Sequence, residues 1–536
     1  MAYRFSQSRQ IGEALSRDSL RQIAVQADYT RQEGTPVIVF NPLGWARQEI
    51  AEAQIDFEFD DPKVDNFQIV NAAGEVVPHQ VVSDDQSFWM EVLKPNRKRR
   101  VRVLTPVSAP GGGYTTLYVQ PNAGHPAPAP WLKVTDRGAE NRYLAFSIAA
   151  DGGLTVADKA TGQTYSGLNH FYDVEDAGDE YSYCPCANSQ TIRTVGKPAV
   201  ITQVESGPCR AAFRITWELP IPARLSADRQ RRSGETVILP ITSDVYLYAD
   251  QPGLYISTSI RNAAHDHKLT VDFPTGLHAA QVYVDESFMV AARDLALPPS
   301  EGWVEDPTPL MHQRTFTDLS QGDRGLAILN RGLPSVEVTA DGTIALTLLR
   351  SVGWLSRDDL TTRRVAAGPL VPTPGAQCLG EYHYEYAILP HSGGWQAVYP
   401  VAYGYNAPLL ARRADTHPGL DLREMNITRD DPSLVRLREW PRGGPKPDTW
   451  SLVQIDAPQL VLSALYRSGD NLIVRCYNVT RQPVMASIVF GLPIQAVYRV
   501  NMAEEAQEQL SVIDRYQVPV TVRGAEVLTL QVVPAR

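Results

Sequence analysis

The chain has 536 residues, 43% of them hydrophobic and 21% charged, with a formal net charge of −10 and an isoelectric point near 5.6. That balance is globular and excludes a general polyanion binder, because phosphate recognition needs clustered Lys and Arg. No apolar run approaches a membrane span and the start, Met1-Ala-Tyr-Arg-Phe-Ser-Gln, lacks the apolar core of a secretion signal, so the expectation is a cytoplasmic protein with no nucleic-acid and no membrane partner.

Residues 4–29 are the one long helical stretch: Ile11, Leu15, Leu20, Ile23, Ala24 and Ala27 recur at three- and four-residue steps, and Gly34 and Pro36 end the pattern. From Pro36 the pattern changes to short strands with turn punctuation, at Val37–Phe40, Phe88–Leu93, Val101–Leu104 and Tyr114–Val119. The basic run from Lys94 to Arg102 reads as a solvated turn entering a strand. Prolines crowd residues 121–130, which predicts a semi-rigid linker and a boundary near residue 125.

Beyond it the strands lengthen. Phe213, Ile215, Trp217 and Leu219 alternate with polar residues, and the same period of two recurs at Leu254–Ile260, Ile344–Leu348 and Tyr382–Ile388. No window between them is long and helical enough for a crossover, so antiparallel sheets are expected. The fold class is therefore mainly β: antiparallel sandwich domains, one small, one large and one C-terminal, preceded by a single N-terminal helix. The divisions are 1–33 helical, 34–125 small sandwich, 126–400 large sandwich, and 401–536 a β domain that completes the large sandwich or packs on it.

Candidate chemistry is concentrated in four places. In Arg261-Asn-Ala-Ala-His-Asp-His-Lys-Leu269, a polar turn between two alternating segments, His265 and His267 could offer two imidazoles to zinc. A zinc site needs further ligands, and a hydrogen-bonded hairpin turn explains the residues as well. Asp173-Val-Glu-Asp-Ala-Gly-Asp-Glu-Tyr-Ser-Tyr183 combines carboxylates and tyrosines, which suits sugar hydroxyls and the apolar face of a sugar ring, though a solvated acidic loop has the same composition. Arg350 ends the even-numbered apolar column Ile344, Leu346, Leu348, and a guanidinium there needs a carboxylate or a ligand; Asp358 and Asp359 are the nearest partners in sequence. Glu381-Tyr-His-Tyr-Glu-Tyr386 puts His383 and Glu385 on one strand face and three tyrosines on the other. The five cysteines, Cys184, Cys186, Cys209, Cys378 and Cys476, are odd in number and scattered, as reduced thiols would be, and Cys184-Pro-Cys186 alone is a weak metal signal. None of these is a complete catalytic set.

Five ordered motifs carry a resemblance: Phe40-Asn-Pro-Leu-Gly-Trp45, Asp176-Ala-Gly-Asp-Glu-Tyr-Ser-Tyr183, Asp266-His-Lys-Leu269 with Phe273-Pro-Thr-Gly276, Leu348-Leu-Arg-Ser-Val-Gly353 and Glu385-Tyr-Ala-Ile-Leu-Pro-His391. Together they resemble the carboxyl-terminal half of glycoside hydrolase family 38 α-mannosidases, the bacterial branch in particular. The resemblance implies a part of a retaining, zinc-dependent exo-α-mannosidase that begins inside the family's helical bundle. It implies that zinc, the nucleophile and the acid/base belong to an amino-terminal catalytic domain and that no residue of this chain is catalytic or a metal ligand. That domain and the mannoside are the expected partners, with self-association left open, and the chain alone is expected to be inert. It further implies that Tyr181, flanked by Asp179 and Glu180, contacts sugar, and that Arg350 is the arginine the β half sends toward the active site. The His265-Asp-His267 turn then becomes framework, with Asp266 and His267 tying a hairpin together. The rival reading is a stand-alone carbohydrate-binding or scaffolding β protein without hydrolase activity.

Overall fold

The alternation at residues 213–219 is realised in a thirteen-residue strand, Arg210–Pro222, whose Phe213, Ile215, Trp217 and Leu219 are all buried while Arg214 and Glu218 face outward. In this computed structural model, described for residues 2–58, 66–91, 94–122, 124, 132–414 and 443–535, that strand lies in the larger of two units, residues 131–406. The other unit combines residues 1–130 with 407–536.

In the larger unit a nine-stranded sheet runs in the order 200–206, 210–222, 236–248, 254–262, 380–391, 324–330, 316–321, 281–286, 289–294. A six-stranded sheet runs 192–193, 170–175, 267–274, 343–351, 335–338, 310–312, and a five-stranded sheet is built from 133–168. All three contribute to one core: Phe213, Ile215 and Ile256 from the first, Leu269, Val271, Phe273, Ile344 and Leu346 from the second, Leu144, Phe146 and Val156 from the third. Each such side chain stabilises the unit by roughly 1.5–3 kcal/mol through burial.

The stretch read as a hairpin is something else. Leu254–Asn262 pairs with Thr236–Tyr248 and Gly380–His391, whereas His267–Pro274 pairs with His170–Glu175 and Thr343–Ser351. The two strands therefore belong to different sheets, and residues 263–266 are the corner between them, turned by Asp266 at φ +53°. A sandwich corner satisfies the alternation as well as a hairpin does, because both strands send every second residue into the shared core. Arg350 is corrected for a related reason. The register slips between Leu269/Leu349 and Thr270/Thr347, so Leu348 is a bulged residue; Leu348 and Leu349 both join the core, and Arg350 lands on the opposite face, paired with Lys268. It does not end a buried column. The Glu381–Tyr386 segment is strand: His383 is exposed against Ser257 and Ser259, while Tyr384 and Tyr386 are buried.

In the smaller unit the N-terminal helix spans Ala2–Ala24. Its end packs through Ala24, with Ala27 and Tyr29, on Ile38, Tyr114 and Tyr118, while Tyr3, Phe5, Ile11 and Leu15 are exposed. Strand Leu410–Arg413 lies between Thr35–Asn41 and Arg47–Glu58 in the nine-stranded sheet of this unit, and its parallel ladder with the latter is the one parallel strand pair among the described residues. Residues 453–534 form sheets of three and five strands around a core of their own, including Val474, Ile488, Val520 and Leu530. These residues fall in the same unit as residues 1–130. The 121–130 linker lies for the most part outside the described residues, as do residue 125 and Leu93. No helix among the described residues is long and apolar enough to cross a membrane.

Candidate functional site

Strand His170–Glu175 of the six-stranded sheet runs directly into residues 176–184, a loop built on two aspartates. Asp176 Oδ1 accepts the N–H of Gly178 at 2.9 Å and of Cys184 at 3.4 Å, closing an Asx turn, and its Oδ2 accepts Arg350 Nε at 2.7 Å. Arg350 Nη2 also donates to the Asp179 carbonyl at 3.0 Å. Asp179 repeats the device one step on. Its Oδ1 accepts the N–H of Tyr181 at 3.0 Å and of Ser182 at 2.9 Å, and its Oδ2 accepts the N–H of Arg357 at 2.7 Å and the guanidinium of Arg363. Ser182 Oγ donates to Glu305 Oε1 at 2.6 Å and accepts Arg363 Nη1. Gly178 is required at its place: a Cβ there would lie 2.0 Å from the Ser182 carbonyl oxygen.

The two carboxyls are both fully buried and are held differently. Burial pushes the Asp176 carboxyl above the usual carboxylate range, against the pull of Arg350. Burial acts the same way on Asp179, but the Arg363 guanidinium and the N–H groups of Ser182 and Arg357 outweigh it and hold that carboxyl low.

What this framework presents outward is Glu180 and Tyr181. Glu180 is exposed and its N–H donates to the Trp354 carbonyl at 3.1 Å. Tyr181 is 56% exposed, with the Arg363 guanidinium 5.9 Å from its ring centroid and Gly368 set against its hydroxyl. Of the four residues expected at a sugar, Asp179 and Arg350 are therefore committed to internal partners, and Glu180 and Tyr181 form the open edge. The partner of Arg350 is Asp176, not Asp358 or Asp359; Asp359 pairs with Arg357. Asp176 and Arg363 are the residues that sequence reasoning passed over. Asp-X-Gly, with the glycine N–H two residues on as donor, is an Asx-turn signature that could have identified Asp176, whereas Arg363 meets Asp179 across 184 residues and leaves no local trace.

Beneath the loop, the His265-Asp-His267 corner is locked. His267 is buried, its Nδ1 2.5 Å from Asp173 Oδ2 and its Nε2 3.0 Å from Asn262 Oδ1, and Asp173 also takes Arg232. Asp266 is held at both ends by Gln377, whose amide oxygen takes its N–H and whose Nε2 donates to its carboxylate. Both ring nitrogens of His267 are thus engaged with protein. Among the described residues no group of three His, Cys, Asp or Glu side chains is placed to hold a metal ion.

Comparison with known proteins places this geometry in a family. Residues 139–360 match the glycosyl hydrolases family 38 C-terminal domain, and residues 459–530 match the glycosyl hydrolases family 38 C-terminal beta sandwich domain. A putative mannosylglycerate hydrolase of Halalkalibacterium halodurans is 27% identical over 408 residues, 73% of this chain and 41% of the relative. Alpha-mannosidase 2C1 of Mus musculus is 24% identical over 274 residues, 49% of this chain and 22% of that protein. The chain thus spans less than half the length of these curated relatives. Two crystal structures from Enterococcus faecalis share the fold at 24% identity: a protein in glycosyl hydrolase family 38 (TM-score 0.80, 99% of this chain and 62% of that one) and an alpha-mannosidase (TM-score 0.78, 99% and 60%). Through residues 139–360 and 459–530, more than half of its length, the chain belongs to glycosyl hydrolase family 38, of which it carries the C-terminal domain and the C-terminal beta sandwich domain.

Proposed function

We propose that this chain is the β-rich C-terminal portion of a cytoplasmic, retaining, zinc-dependent exo-α-mannosidase, and that it contributes Tyr181 to the substrate pocket, with Glu180 beside it. The observation that carries the reading is an exposed tyrosine on a loop whose two aspartates are saturated by buried main-chain and arginine donors. Such a loop holds its ring and hydroxyl in place before substrate arrives, so little ordering entropy is lost on binding. Asp179 and Arg350 act one layer back, as the residues that position the loop. Zinc and the reacting carboxylates are assigned to a catalytic portion beyond the residues described. The exposed Tyr3, Phe5, Ile11 and Leu15 on one helix support docking of that portion, since apolar side chains of this size on an isolated helix gain by being covered.

The test is release of p-nitrophenol from p-nitrophenyl α-mannoside. The purified chain alone should release none, and chelator-sensitive release by the chain alone would overturn the reading. Combined with a catalytic portion, Tyr181→Phe should lower kcat/KM by about tenfold, equivalent to about 1.4 kcal/mol of transition-state stabilisation. An unchanged kcat/KM would remove Tyr181 from the pocket. Sugar binding by the chain alone, with no gain of hydrolysis on adding a catalytic portion, would favour the stand-alone carbohydrate-binding reading instead.

A further inference from the structure

Residues 355–371, which follow the strand that ends at Ser351, leave and return at one point: Trp354 bridges Pro372, and the Leu355 N–H donates to the Val371 carbonyl at 2.9 Å. Between those ends the chain forms a compact surface loop of the Ω type. Its interior hangs on Ser356, which is fully buried and whose Oγ accepts the N–H of Ala367 at 3.0 Å, the N–H of Gly368 at 3.2 Å and Arg363 Nη2 at 3.3 Å. Arg363 also holds Asp179, so the hydroxyl that places Gly368 is tied to the loop that carries Tyr181.

Gly368 meets Tyr181 as bare backbone. A Cβ at residue 368 would lie 3.0 Å from the Tyr181 hydroxyl oxygen and 3.4 and 3.5 Å from Cε2 and Cζ of its ring, and these are the three nearest atoms it would meet. The glycine answers no demand of its own backbone, since Gly368 is not among the glycines of positive φ and the following Pro369 favours extended geometry there. What a side chain would disturb is Tyr181. The ring is 56% exposed and can yield outward, whereas the backbone at 368 is fixed from within by Ser356. The Arg363 guanidinium, 5.9 Å from the ring centroid, attracts the ring but tolerates a range of ring positions, so the contact with Gly368 is what sets the hydroxyl.

We propose that Gly368 is a positioning residue for Tyr181: its bare backbone, held by Ser356, is the seat that sets where the Tyr181 hydroxyl stands. Its consequence for hydrolysis rests on the reading of Tyr181 as a sugar contact, whereas the seat itself is a property of this chain alone. Glycine at 368 therefore serves the site and not the stability of the fold.

The experiment takes the full chain with 3-fluorotyrosine at position 181 and reads its 19F signal. Gly368→Ala should move that signal by more than its linewidth, while the thermal unfolding midpoint stays level with the parent chain or rises slightly, because alanine at an unstrained position restricts the unfolded chain. Ser356→Ala, which frees the two N–H groups, should move the signal too. Combined with a catalytic portion, Gly368→Ala should lower kcat/KM for p-nitrophenyl α-mannoside about tenfold, as far as Tyr181→Phe does. In a Tyr181→Phe background it should lower it no further, since the hydroxyl is what the added methyl displaces. An unchanged 19F signal in Gly368→Ala overturns the proposal, and so does a kcat/KM loss that persists undiminished in the Tyr181→Phe background. A lowered unfolding midpoint that accounts for the loss overturns it as well. A shifted signal with unchanged kcat/KM upholds the seat and removes Tyr181 from the pocket, which separates failure of the seat from failure of the mannosidase reading.

Discussion

Two sets of arginine–carboxylate pairs in this molecule use the same chemistry to different ends. On the long strand Lys94–Ala109 of the smaller unit, Arg99 pairs with Asp84, Arg100 with Asp56 and Arg102 with Glu52, each at least partly exposed. In the larger unit, Arg363 meets Asp179 with both side chains almost entirely buried, and Arg350 meets a fully buried Asp176. The first set is solvated and screened, so it decorates a sheet face. The second has been taken out of water at a cost that only good geometry offsets, and what it gains is a loop with one conformation. A charge run such as residues 94–102 is conspicuous in a sequence and energetically minor, whereas the pairs that shape the site are single arginines far from their partners.

The comparison breaks most visibly at Arg363. Arg363→Met should destabilise the larger unit by roughly 3–5 kcal/mol, because Asp179 is left buried with main-chain donors alone. A urea midpoint for that unit's transition measures it, and a loss under about 1 kcal/mol would mean the pair is no stronger than a surface one. Asp272 sharpens the point from the other side, since it is a largely buried carboxyl with no arginine ion pair among the described residues. Burial holds it up at about 7, with Thr270 pulling the other way. The folded state therefore keeps the proton more tightly than the unfolded state, and stability from this group is full below the ordinary carboxylate value near 4 and is lost as pH rises to about 7. Allowing for solvent at its open edge, the loss amounts to roughly 2–3 kcal/mol. Asp272→Asn should flatten that part of the profile between pH 4 and pH 8, and an unaltered profile would place the titration elsewhere.

Much of the fold was legible because it is written in periods. The alternation of residues 213–219 marks a strand whatever its neighbours are, and the helix signal of residues 4–29 finds a helix at Ala2–Ala24. Pairing is not written that way. Residues 254–262 and 267–274 stand four residues apart, as hairpin strands do, yet each pairs elsewhere, because the shared core constrains only which side chains point inward. Arg350 misleads for a similar reason, since one bulged residue at Leu348 reverses every face assignment after it. The site was half legible: the residues of the loop 176–183 are contiguous, but its anchors Arg350 and Arg363 lie 174 and 184 residues away, and Asp358 and Asp359 were closer decoys in sequence.

Arg350 tests whether partial exposure moves a pair from the second class toward the first. Its side chain is 21% exposed while Asp176 is fully buried, so Arg350→Met should cost about 2 kcal/mol, less than Arg363→Met. Because burial already pushes the Asp176 carboxyl up, losing the guanidinium lets it take a proton, and the deficit should shrink as pH falls toward 4. At the far end stands Arg102→Ala. That guanidinium lies 3.4 Å from Glu52 and 2.8 Å from Ser83 Oγ with about half of each charged side chain in water, so its removal should cost about 0.5 kcal/mol, and less again in 1 M salt, where the Debye length is about 3 Å. A larger, salt-insensitive loss would show that the strand depends on its charges for more than solubility, and exposure would then no longer separate the two sets.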